Sequence, residues 1–213
     1  MTGNRPPRAH PPGRAARGTL RRVIIYYTSG TDVLHYWFTI GRMLASRFTR
    51  PRVRFDATIR RTFRVRLFDC DGFRVMTAAK YPMYMDFIRW EMIARSALFD
   101  AILRRGLAPT LGSQKLIYRK PLKVWTRFEV ELELAGHDDK WIYHIHRFEQ
   151  GGELRALGIT RALIWRRDVP AALPQLLHSL GATEPMPPPA WVTALFASDR
   201  ELLETNGNGT APR

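Results

Sequence analysis

The stretch RVRLFDCDGFRVMTAAKYPMYMDFIRWEMI, residues 64–93, carries the transition on which the fold depends. At its start, Phe63, Val65 and Leu67 alternate with Arg64 and Arg66, and this period of two predicts a strand with one buried face and one face in water. A turn rich in aspartate follows, and beyond it the chain becomes apolar with a helical period. The stretch therefore predicts a strand, a tight turn and a buried helix in direct succession.

The apolar part of this stretch predicts one continuous helix from Pro82 to Arg105. Proline is favourable in a first helical turn, and Gly106 is a typical stop. Two oppositely charged pairs at the i,i+4 spacing mark its predicted outer face, Glu91/Arg95 and Asp100/Arg104. Apolar residues cover most of the remaining circumference. Such a helix has to be enclosed by other elements.

Four strand-like segments follow the helix and can enclose it: SQKLIYRK, TRFEVELELA, KWIYHIHRFE and ELRALGITRALIW. The second alternates cleanly between apolar and polar residues. The connections GHDD and QGG are short and typical of turns, which predicts that the last three strands form an antiparallel meander. The order of strand, long helix and four strands indicates an α+β fold with a central helix and a curved antiparallel sheet.

The flanking regions divide the chain into further segments. A disordered basic tail is predicted because the first residues are rich in Pro, Gly and Arg without apolar periodicity. Helices are predicted near Pro170–Ser179 and Pro189–Glu204, packed outside the sheet. The predicted segments are a disordered tail (1–22), an amphipathic helical segment (23–50), the main domain (51–167), a helical extension (168–205) and a second disordered tail (206–213).

The helical segment has an apolar stripe that could contact several kinds of surface. Its positions are Val33, Trp37, Ile40, Leu44 and Phe48, broadened by Leu34, Phe38 and Met43. Aromatic residues beside arginines suit a membrane interface, but packing on the body of the protein or on a partner subunit explains the stripe equally well. Polar and glycine interruptions leave no run long enough to cross a bilayer.

Composition and charge restrict the compartment and the partners. The 213 residues include one cysteine, so no intramolecular disulfide can form and a cytoplasmic location is expected. The net charge is +15, and residues 1–66 hold fifteen arginines against two aspartates. Such an arm favours an acidic partner, namely an anionic membrane face, an acidic carrier protein or, less favoured, nucleic acid. Arginine enrichment from genomic base composition with a solvated tail is the alternative.

Residues 65–93 resemble the entry motif of the 4-hydroxybenzoyl-CoA thioesterase branch of the hotdog-fold acyl-CoA thioesterases. The motif positions are Asp69, Asp71, Tyr81, Asp86 and Glu91. YRKPLKVWTRFEVELEL and DDKWIYHIHRF also look like segments of this family. The resemblance implies a hotdog fold, hydrolysis of an acyl-CoA or acyl-carrier-protein thioester, and a homodimer or higher oligomer with its sites at the subunit boundary.

The loop before the helix departs from the family pattern. Where relatives commonly place glycine, histidine or asparagine, this chain has Arg74, Val75, Thr77 and Ala78. The second aspartate of the motif is therefore kept without its usual polar neighbours. Either a different pocket chemistry operates, or the chain is a non-catalytic acyl- or lipid-binding or membrane-associated relative.

Three carboxylates are candidate catalytic groups. Asp71 could act as general base or nucleophile on a carbonyl that is polarised by the N–H groups of the helix start. The alternative is that Asp71 merely caps the turn, a common role of aspartate. Asp69 is expected to support Asp71 or the turn, and Asp86 remains a candidate acid on the helix face.

The predicted substrate-binding residues are of two kinds. Arg119, Lys120 and Lys123 flank a strand-like segment and could bind the phosphates of coenzyme A, although exposed basic residues on strands are usually just solvated. The remaining candidates, near the start of the helix, are Val75, Met76, Tyr81 and Tyr84. For Tyr84, as for other helix aromatics, packing in the core is the simpler role.

Other chemistries lack support in the sequence. Cys70 lies between two aspartates, which disfavours a thiolate. His144 and His146 share one face of a strand without further metal-ligating neighbours, so we expect surface or hydrogen-bonded histidines and no metal site. Phosphate-binding glycine loops, dinucleotide fingerprints and serine-hydrolase elbows are absent. No cofactor is predicted.

Overall fold

The structure is a computed structural model that describes residues 30–167, 169–181 and 186–207. The predicted tail at residues 1–22, residues 23–29 of the predicted helical segment and residues 208–213 of the tail predicted at 206–213 lie outside the described residues. Residues 206 and 207 of that second tail belong to the last helix, so the predicted boundary was wrong there. In chain order the elements are α1 (Gly30–Thr49), β1 (Ile59–Arg64), a 3-10 turn (Leu67–Asp69), α2 (Lys80–Arg95), α3 (Ala97–Arg105), β2 (Leu107–Tyr118), β3 (Arg127–His137), β4 (Ile142–Gln150), β5 (Glu153–Arg166), β6 (Val169–Pro170), α4 (Leu173–Ser179), α5 (Ala190–Ala194) and α6 (Asp199–Gly207).

The strands form one antiparallel sheet in the order β1-β3-β4-β5-β2, with the short β6 on β5. The consecutive strands β3, β4 and β5 are neighbours, so the predicted meander is confirmed. The sheet curves around α2, and the predicted α+β hotdog arrangement is confirmed. The strand β1 ends at Arg64, however, and Leu67 lies in the 3-10 turn with 48% of its surface exposed. Its assignment to the buried strand face was wrong.

The predicted helix from Pro82 to Arg105 is two helices. It begins at Lys80 and is broken at Ser96, whose backbone is extended at φ −101° and ψ 172°. The Ser96 hydroxyl accepts a hydrogen bond from the Leu98 amide at 3.4 Å, which makes Ser96 the cap of α3. Gly106 ends α3 in the left-handed conformation at φ 63°, as predicted.

The core lies between α2 and the concave face of the sheet. Tyr84, Phe87 and Ile88 of α2 are buried, and the ring of Tyr84 meets that of Phe128 edge to face at 5.0 Å between centroids. Gly158 lets the helix approach β5 closely, since a Cβ at that position would lie 2.8 Å from the Met85 thioether. Burial of this kind is the main stabilising contribution to such a fold.

Glu91 does not lie on an outer face of α2, as the charge spacing predicted. Only 1% of its side chain is exposed, because α1 and the segment after it fold over this part of the helix. The predicted pair with Arg95 is present at 3.0 Å, and Arg50 and Arg61 add contacts of 3.2 and 3.4 Å. One buried carboxylate therefore holds three arginines from three parts of the chain.

The helix α1 packs on α2 with only part of the predicted stripe. Ile40 and Met43 are buried against the core, whereas Val33, Trp37 and Phe48 are 60%, 65% and 85% exposed. The predicted stripe was therefore only partly right, because apolar residues surround most of this helix. Across the same contact, Asp100 pairs with two arginines of the α1 region and not with Arg104; they are Arg47 and Arg52, each at 2.6 Å.

Of the C-terminal extension, α5 covers the convex face of the sheet, as predicted. Val192 and Phe196 pack there with Tyr143 and Ile145 of β4. The same prediction was wrong for α4, because its apolar stripe of Leu173, Leu176 and Leu177 is buried in the core that contains α2. The predicted helix Pro189–Glu204 is interrupted, giving α5 and α6, and the pairing of β6 with β5 was not predicted. Among the described residues, no helix combines the length and the apolar character that a membrane crossing requires.

Candidate functional site

The segment between β1 and α2 is a tight, cross-linked turn. Short antiparallel bridges join Cys70 to Met76 and Val75 to Lys123. Arg74 sits at φ 60°, a left-handed conformation that costs free energy in residues other than glycine, and its amide donates to the Asp71 carbonyl at 3.0 Å. This backbone fixes the two aspartates of the entry motif relative to the start of α2.

Asp69 is an internal anchor. Its side chain is buried at 1% exposure, where one carboxylate oxygen accepts hydrogen bonds from the Tyr84 hydroxyl at 2.7 Å and from the Arg66 amide at 2.9 Å. Burial, together with the negative charge of Asp69, raises the pKa of Tyr84. The geometry fits the supporting role predicted for Asp69, since the carboxylate ties the turn to the helix.

Asp71 lies at the surface. Its carboxylate accepts a hydrogen bond from the Phe73 amide at 2.9 Å, the geometry of an aspartate that stabilises its own turn. Neither of the two cavities described below includes Asp71 in its lining. The turn role considered from the sequence is thus present, and within a single chain the carboxylate faces solvent.

A cavity of about 240 Å³, here called the helix-start cavity, opens at the amino end of α2. Its lining contains four of the predicted substrate-binding residues. The lining consists of Met76, Ala78, Tyr81, Tyr118, Arg119, Lys120 and Pro121. Tyr118 was not predicted, because an aromatic residue in a strand normally indicates core packing. The structure thus brings together residues from the turn, the helix start and the end of β2.

The walls of the helix-start cavity are aromatic and its rim is basic. The rings of Tyr81 and Tyr118 meet edge to face with centroids 5.0 Å apart, and burial raises the pKa of both hydroxyls. Arg119 and Lys120 are exposed, and their amides both donate to the Arg155 carbonyl, at 2.8 and 3.1 Å. An apolar group would fit against the rings, with an anionic group at the rim.

The start of α2 lies beside this cavity and has no side-chain cap. The residue before the helix, Ala79, has no side chain that can cap it, and the first turn contains no acidic residue. Pro82 lacks an N–H, and the Lys80 amide donates to the Thr77 carbonyl at 3.0 Å. Tyr81 is the first-turn residue that both has a backbone N–H to donate and lines the cavity. The helix dipole favours partial negative charge at this point.

Four predicted site residues lie elsewhere. Tyr84 points to the buried Asp69 and lines a different, arginine-rich cavity. Val75 and Lys123 pair through their backbones beside the turn, without lining the helix-start cavity. Asp86 forms an ion pair with Arg89 one turn further along α2. The structure therefore separates these four from the cavity at the helix start.

The buried histidines correct another expectation. His144 and His146 lie between the sheet and α2, with 5% and 0% exposure, and no ring nitrogen of either has a hydrogen-bond partner among the described residues. Burial first, and the nearby Arg89 second, lower the pKa of His144 to about 3 and depress that of His146. Both are neutral core residues. The expectation of surface or hydrogen-bonded rings was wrong.

Cys70 is poorly suited to nucleophilic attack. Burial, Asp69 and Asp71, in that order, raise the pKa of its thiol to about 11. The thiol also donates a hydrogen bond to the Arg66 carbonyl at 3.3 Å. Little thiolate exists at neutral pH, which agrees with the effect expected from the flanking aspartates.

Curated relatives match parts of the chain. Protein THEM6 of Xenopus laevis is 32% identical over 80 residues, which are 38% of this chain and 39% of that protein. Protein THEM6 of Drosophila melanogaster is 26% identical over 138 residues, 63% of this chain and 72% of that protein. The match therefore spans about two fifths of the Xenopus protein and nearly three quarters of the Drosophila protein.

Solved structures share the fold at low sequence identity. The probable thioesterase YbaW from Escherichia coli matches 57% of this chain and 94% of its own at 17% identity, with a TM-score of 0.54. The 1,4-dihydroxy-2-naphthoyl-CoA thioesterase Slr0204 from Synechocystis matches 58% of this chain and 95% of its own at 18% identity, with a TM-score of 0.50.

The family model of the thioesterase-like superfamily matches residues 65–196, from the entry motif to α5 on the convex face. With more than half of its length matched by this model, the chain belongs to the thioesterase-like superfamily.

Proposed function

We propose that this protein hydrolyses a thioester whose acyl group is carried by coenzyme A or by an acyl carrier protein. Membership of the thioesterase-like superfamily supports thioester hydrolysis in general. The observation that carries the proposal is the helix-start cavity, where two tyrosine rings, the open amino end of α2 and two basic residues converge. The printed name of the Synechocystis neighbour, an acyl-CoA thioesterase, favours coenzyme A as the carrier.

In this proposal the thioester carbonyl oxygen lies at the Tyr81 amide. The amide and the helix dipole stabilise the negative charge that develops on this oxygen in the transition state. Arg119 and Lys120 at the rim bind phosphate groups of the carrier. Asp71 either removes a proton from the attacking water and passes it to the departing thiolate, or attacks the carbonyl to form an acyl anhydride. In the second route water hydrolyses the anhydride, which regenerates the carboxylate, and a proton of that water goes to the thiolate, so that in both routes the products are the free acid and the carrier thiol.

In this proposal a second copy of the chain completes the site, which accounts for the exposure of Asp71 in the single chain. A carboxylate surrounded by water is a weak base, and an enclosed site needs another surface over it. Among the described strands, β2 lies at the end of the sheet with its outer edge unpaired, and Leu111, Ile117 and Tyr118 on it are exposed. A homodimer paired along β2 would bring a second chain beside the helix-start cavity, which includes the end of that strand.

Steady-state hydrolysis of a panel of aromatic and aliphatic acyl-CoA esters tests this function. Asp71→Asn should lower kcat at least 100-fold, the lower range for loss of a general base. Asp139→Asn is the matched control, because Asp139 is also an exposed turn aspartate. Equal activity of the two variants would exclude Asp71 from the chemistry. Absence of turnover by the wild type with every ester, including carrier-protein esters, would refute the hydrolase.

Mixing two inactive variants tests the shared site. Asp71→Asn removes the carboxylate, and Ala78→Trp fills the helix-start cavity. If one chain supplies Asp71 and the other the cavity, random reassortment should restore about a quarter of the wild-type activity, since half of the dimers are mixed and each holds one intact site. If the mixture stays inactive, both groups belong to the same chain or to different processes.

The second candidate function is acyl or lipid binding at a membrane surface without turnover. The exposed apolar residues of α1 favour it: Leu34, Trp37 and Phe38 are 72%, 65% and 64% exposed beside a strongly basic segment. Deleting α1 is unsuitable as a test because Ile40 and Met43 contribute to the core.

Substitution of the outward residues is the appropriate test of membrane binding. Trp37→Ser/Phe38→Ser should reduce co-sedimentation with vesicles that contain phosphatidylglycerol. Leu202→Ser/Leu203→Ser on α6 is the control, since these two leucines are equally exposed. Equal sedimentation of the wild type and both variants would exclude α1 as the contact surface.

A further inference from the structure

A second cavity, larger than the first, lies between α1, β1 and α2. Its volume is about 490 Å³, within the range of sites that hold small organic ligands. It is separate from the helix-start cavity and shares no lining residue with it. We call it the arginine cavity. Its lining consists of His35, Thr39, Arg42, Met43, Arg61, Thr62, Phe63, Arg64, Arg66, Tyr84, Phe87 and Arg127.

The arginine cavity is strongly cationic. Five of the described residues that line it are arginines, and no described lining residue is an aspartate or a glutamate. Arg64 donates through Nε to the Trp125 carbonyl at 3.0 Å, and Arg66 contacts His35 at 2.6 Å, but neither partner carries a negative charge that would offset the guanidinium. Among the described residues, Arg61 alone of these five arginines forms an ion pair with a carboxylate, so most of the guanidinium groups of this lining have no paired carboxylate there.

Two buried carboxylates lie near the cavity, and both already have partners: Asp69 accepts hydrogen bonds from the Tyr84 hydroxyl and the Arg66 amide, and Glu91 is shared by three arginines. Arg61 contacts Glu91 at 3.4 Å, and Glu91 also pairs with Arg50 and Arg95. Burial, and the positive charges of Arg42, Arg50 and Arg95, lower the pKa of Arg61 against the raising effect of Glu91. An anion entering the cavity would relieve this repulsion.

The inner wall of the cavity is apolar. The ring of Phe63 lies 5.0 Å from that of Tyr84 and 6.3 Å from that of Phe87, and Met43 is buried beside them. A cavity lined by both guanidinium groups and aromatic rings suits an amphipathic anion better than a simple inorganic ion.

We propose that the arginine cavity binds the phosphate group of an organic phosphate ester, with the organic part against the aromatic wall. Guanidinium groups match phosphate oxygens with paired N–H donors, which makes arginine the preferred residue for such sites. In the described sheet β1 is the other end strand, so its outer peptide groups can supply further donors. This binding is independent of the thioester hydrolysis proposed above.

Isothermal titration of the full chain with pyrophosphate and with phenyl phosphate, and flotation with vesicles of phosphatidylglycerol in phosphatidylcholine, test the proposal at 150 mM salt. The test variant is Arg42→Gln/Arg127→Gln. Both arginines line the cavity, and neither forms an ion pair with a carboxylate among the described residues. The control is Arg104→Gln/Arg166→Gln, which removes the same charge from exposed positions outside the cavity.

The test variant should bind at least one of these probes at least tenfold more weakly than the wild type, while the control changes by less than threefold; tenfold corresponds to about 1.4 kcal/mol. A loss confined to the soluble probes identifies a free ester as the ligand source, and a loss confined to vesicles identifies a lipid head group. If both variants bound the probes equally weakly, the loss would reflect the overall charge of the protein and not the cavity, and the proposal would be overturned. Absence of binding to every probe would also overturn it.

If Arg42→Gln/Arg127→Gln unfolds at a lower temperature than the wild type, the two single variants replace it. Each removes one guanidinium from an exposed position, where surface substitutions cost little stability. At least one of them should then weaken binding with an unchanged unfolding temperature. Retained affinity in both would contradict the site.

Discussion

The buried carboxylate of Glu91 provides a demanding test of how α1 and β1 are attached to the central helix. Its 1% exposure and its contacts of 3.0, 3.2 and 3.4 Å to Arg95, Arg50 and Arg61 place one charge under three arginines. Glu91→Gln keeps the shape and removes the charge. Arg61 and Arg95, at 15% and 12% exposure, are then left without a counter-charge, whereas Arg50, at 41%, can turn to solvent.

Removing one partner of a buried ion pair costs about 3 to 5 kcal/mol. Because Arg50 is solvated and the other two arginines are partly so, we expect the lower end, a loss of about 3 kcal/mol in the free energy of unfolding. Urea unfolding followed by circular dichroism measures it, with an unchanged m-value as the sign that only stability has changed. Asp100→Asn is the control, since the ion pairs of this more exposed carboxylate are screened by solvent and should contribute much less to stability than those of Glu91.

A rescue variant separates charge from packing at this position. Arg61→Met in the Glu91→Gln background removes an orphaned charge and should recover part of the lost stability. A loss below about 1 kcal/mol for Glu91→Gln, or one equal to that of Asp100→Asn, would refute the buried arginine cluster. So would a further loss in the double variant.

Three other substitutions have definite expectations. Tyr84→Phe removes a hydroxyl donor from the buried Asp69 carboxylate and should lower the free energy of unfolding by about 1.5 to 3 kcal/mol in urea; a change near zero would mean that Asp69 is hydrated. Since the pKa of His144 is lowered to about 3, the folded chain keeps this ring neutral while the unfolded chain binds a proton below pH of about 6.5. The free energy of unfolding should therefore fall as the pH drops from about 6.5 towards 3, by up to about 1.4 kcal/mol per pH unit for this residue. The fall with pH should be shallower in His144→Leu. Identical slopes of stability against pH in the wild type and this variant would contradict the burial of His144. Gly136→Ala places a Cβ 2.6 Å from a main-chain oxygen at φ 132°, so it should cost about 1 to 3 kcal/mol, whereas Gly72→Ala, with open space around it, should cost little; equal unfolding midpoints would argue against the close approach.

The fold was predictable where its signals are local. Alternation in β3 and the short turns around β4 specify the meander, since each strand pairs with its neighbour in sequence. The end of α3 at Gly106 was equally local. The break at Ser96 was not predictable, because a serine inside a helical pattern is common and only tertiary packing decides that it becomes a cap.

Long-range contacts account for the main errors. The spacing of Glu91 and Arg95 correctly indicated a pair, but it could not show that α1 would fold over that pair and bury it. The histidines of β4 looked polar by type, and only the curvature of the sheet around α2 places them in the core. Pattern reasoning assigns residues to a face without specifying what covers that face.

The candidate site was partly predictable. Met76, Tyr81, Arg119 and Lys120 were named from the resemblance and from charge, and they converge at the helix start. The role of Asp71 in catalysis remains a proposal, because its carboxylate stabilises its own turn in the single chain. Nothing in the sequence indicated the arginine cavity, which requires α1 and β1 to meet across a long loop.

The central claim is that a thioester is hydrolysed in the cavity at the start of α2, and the effect of filling that cavity tests it most directly. Ala78→Trp should lower kcat/KM for the best acyl-CoA substrate at least 100-fold, as expected when bound geometry is lost, with an unchanged urea midpoint. Ala197→Trp, an equally exposed alanine on the opposite face of the sheet, should leave kcat/KM within about threefold. Undiminished hydrolysis by a folded Ala78→Trp protein would contradict the claim.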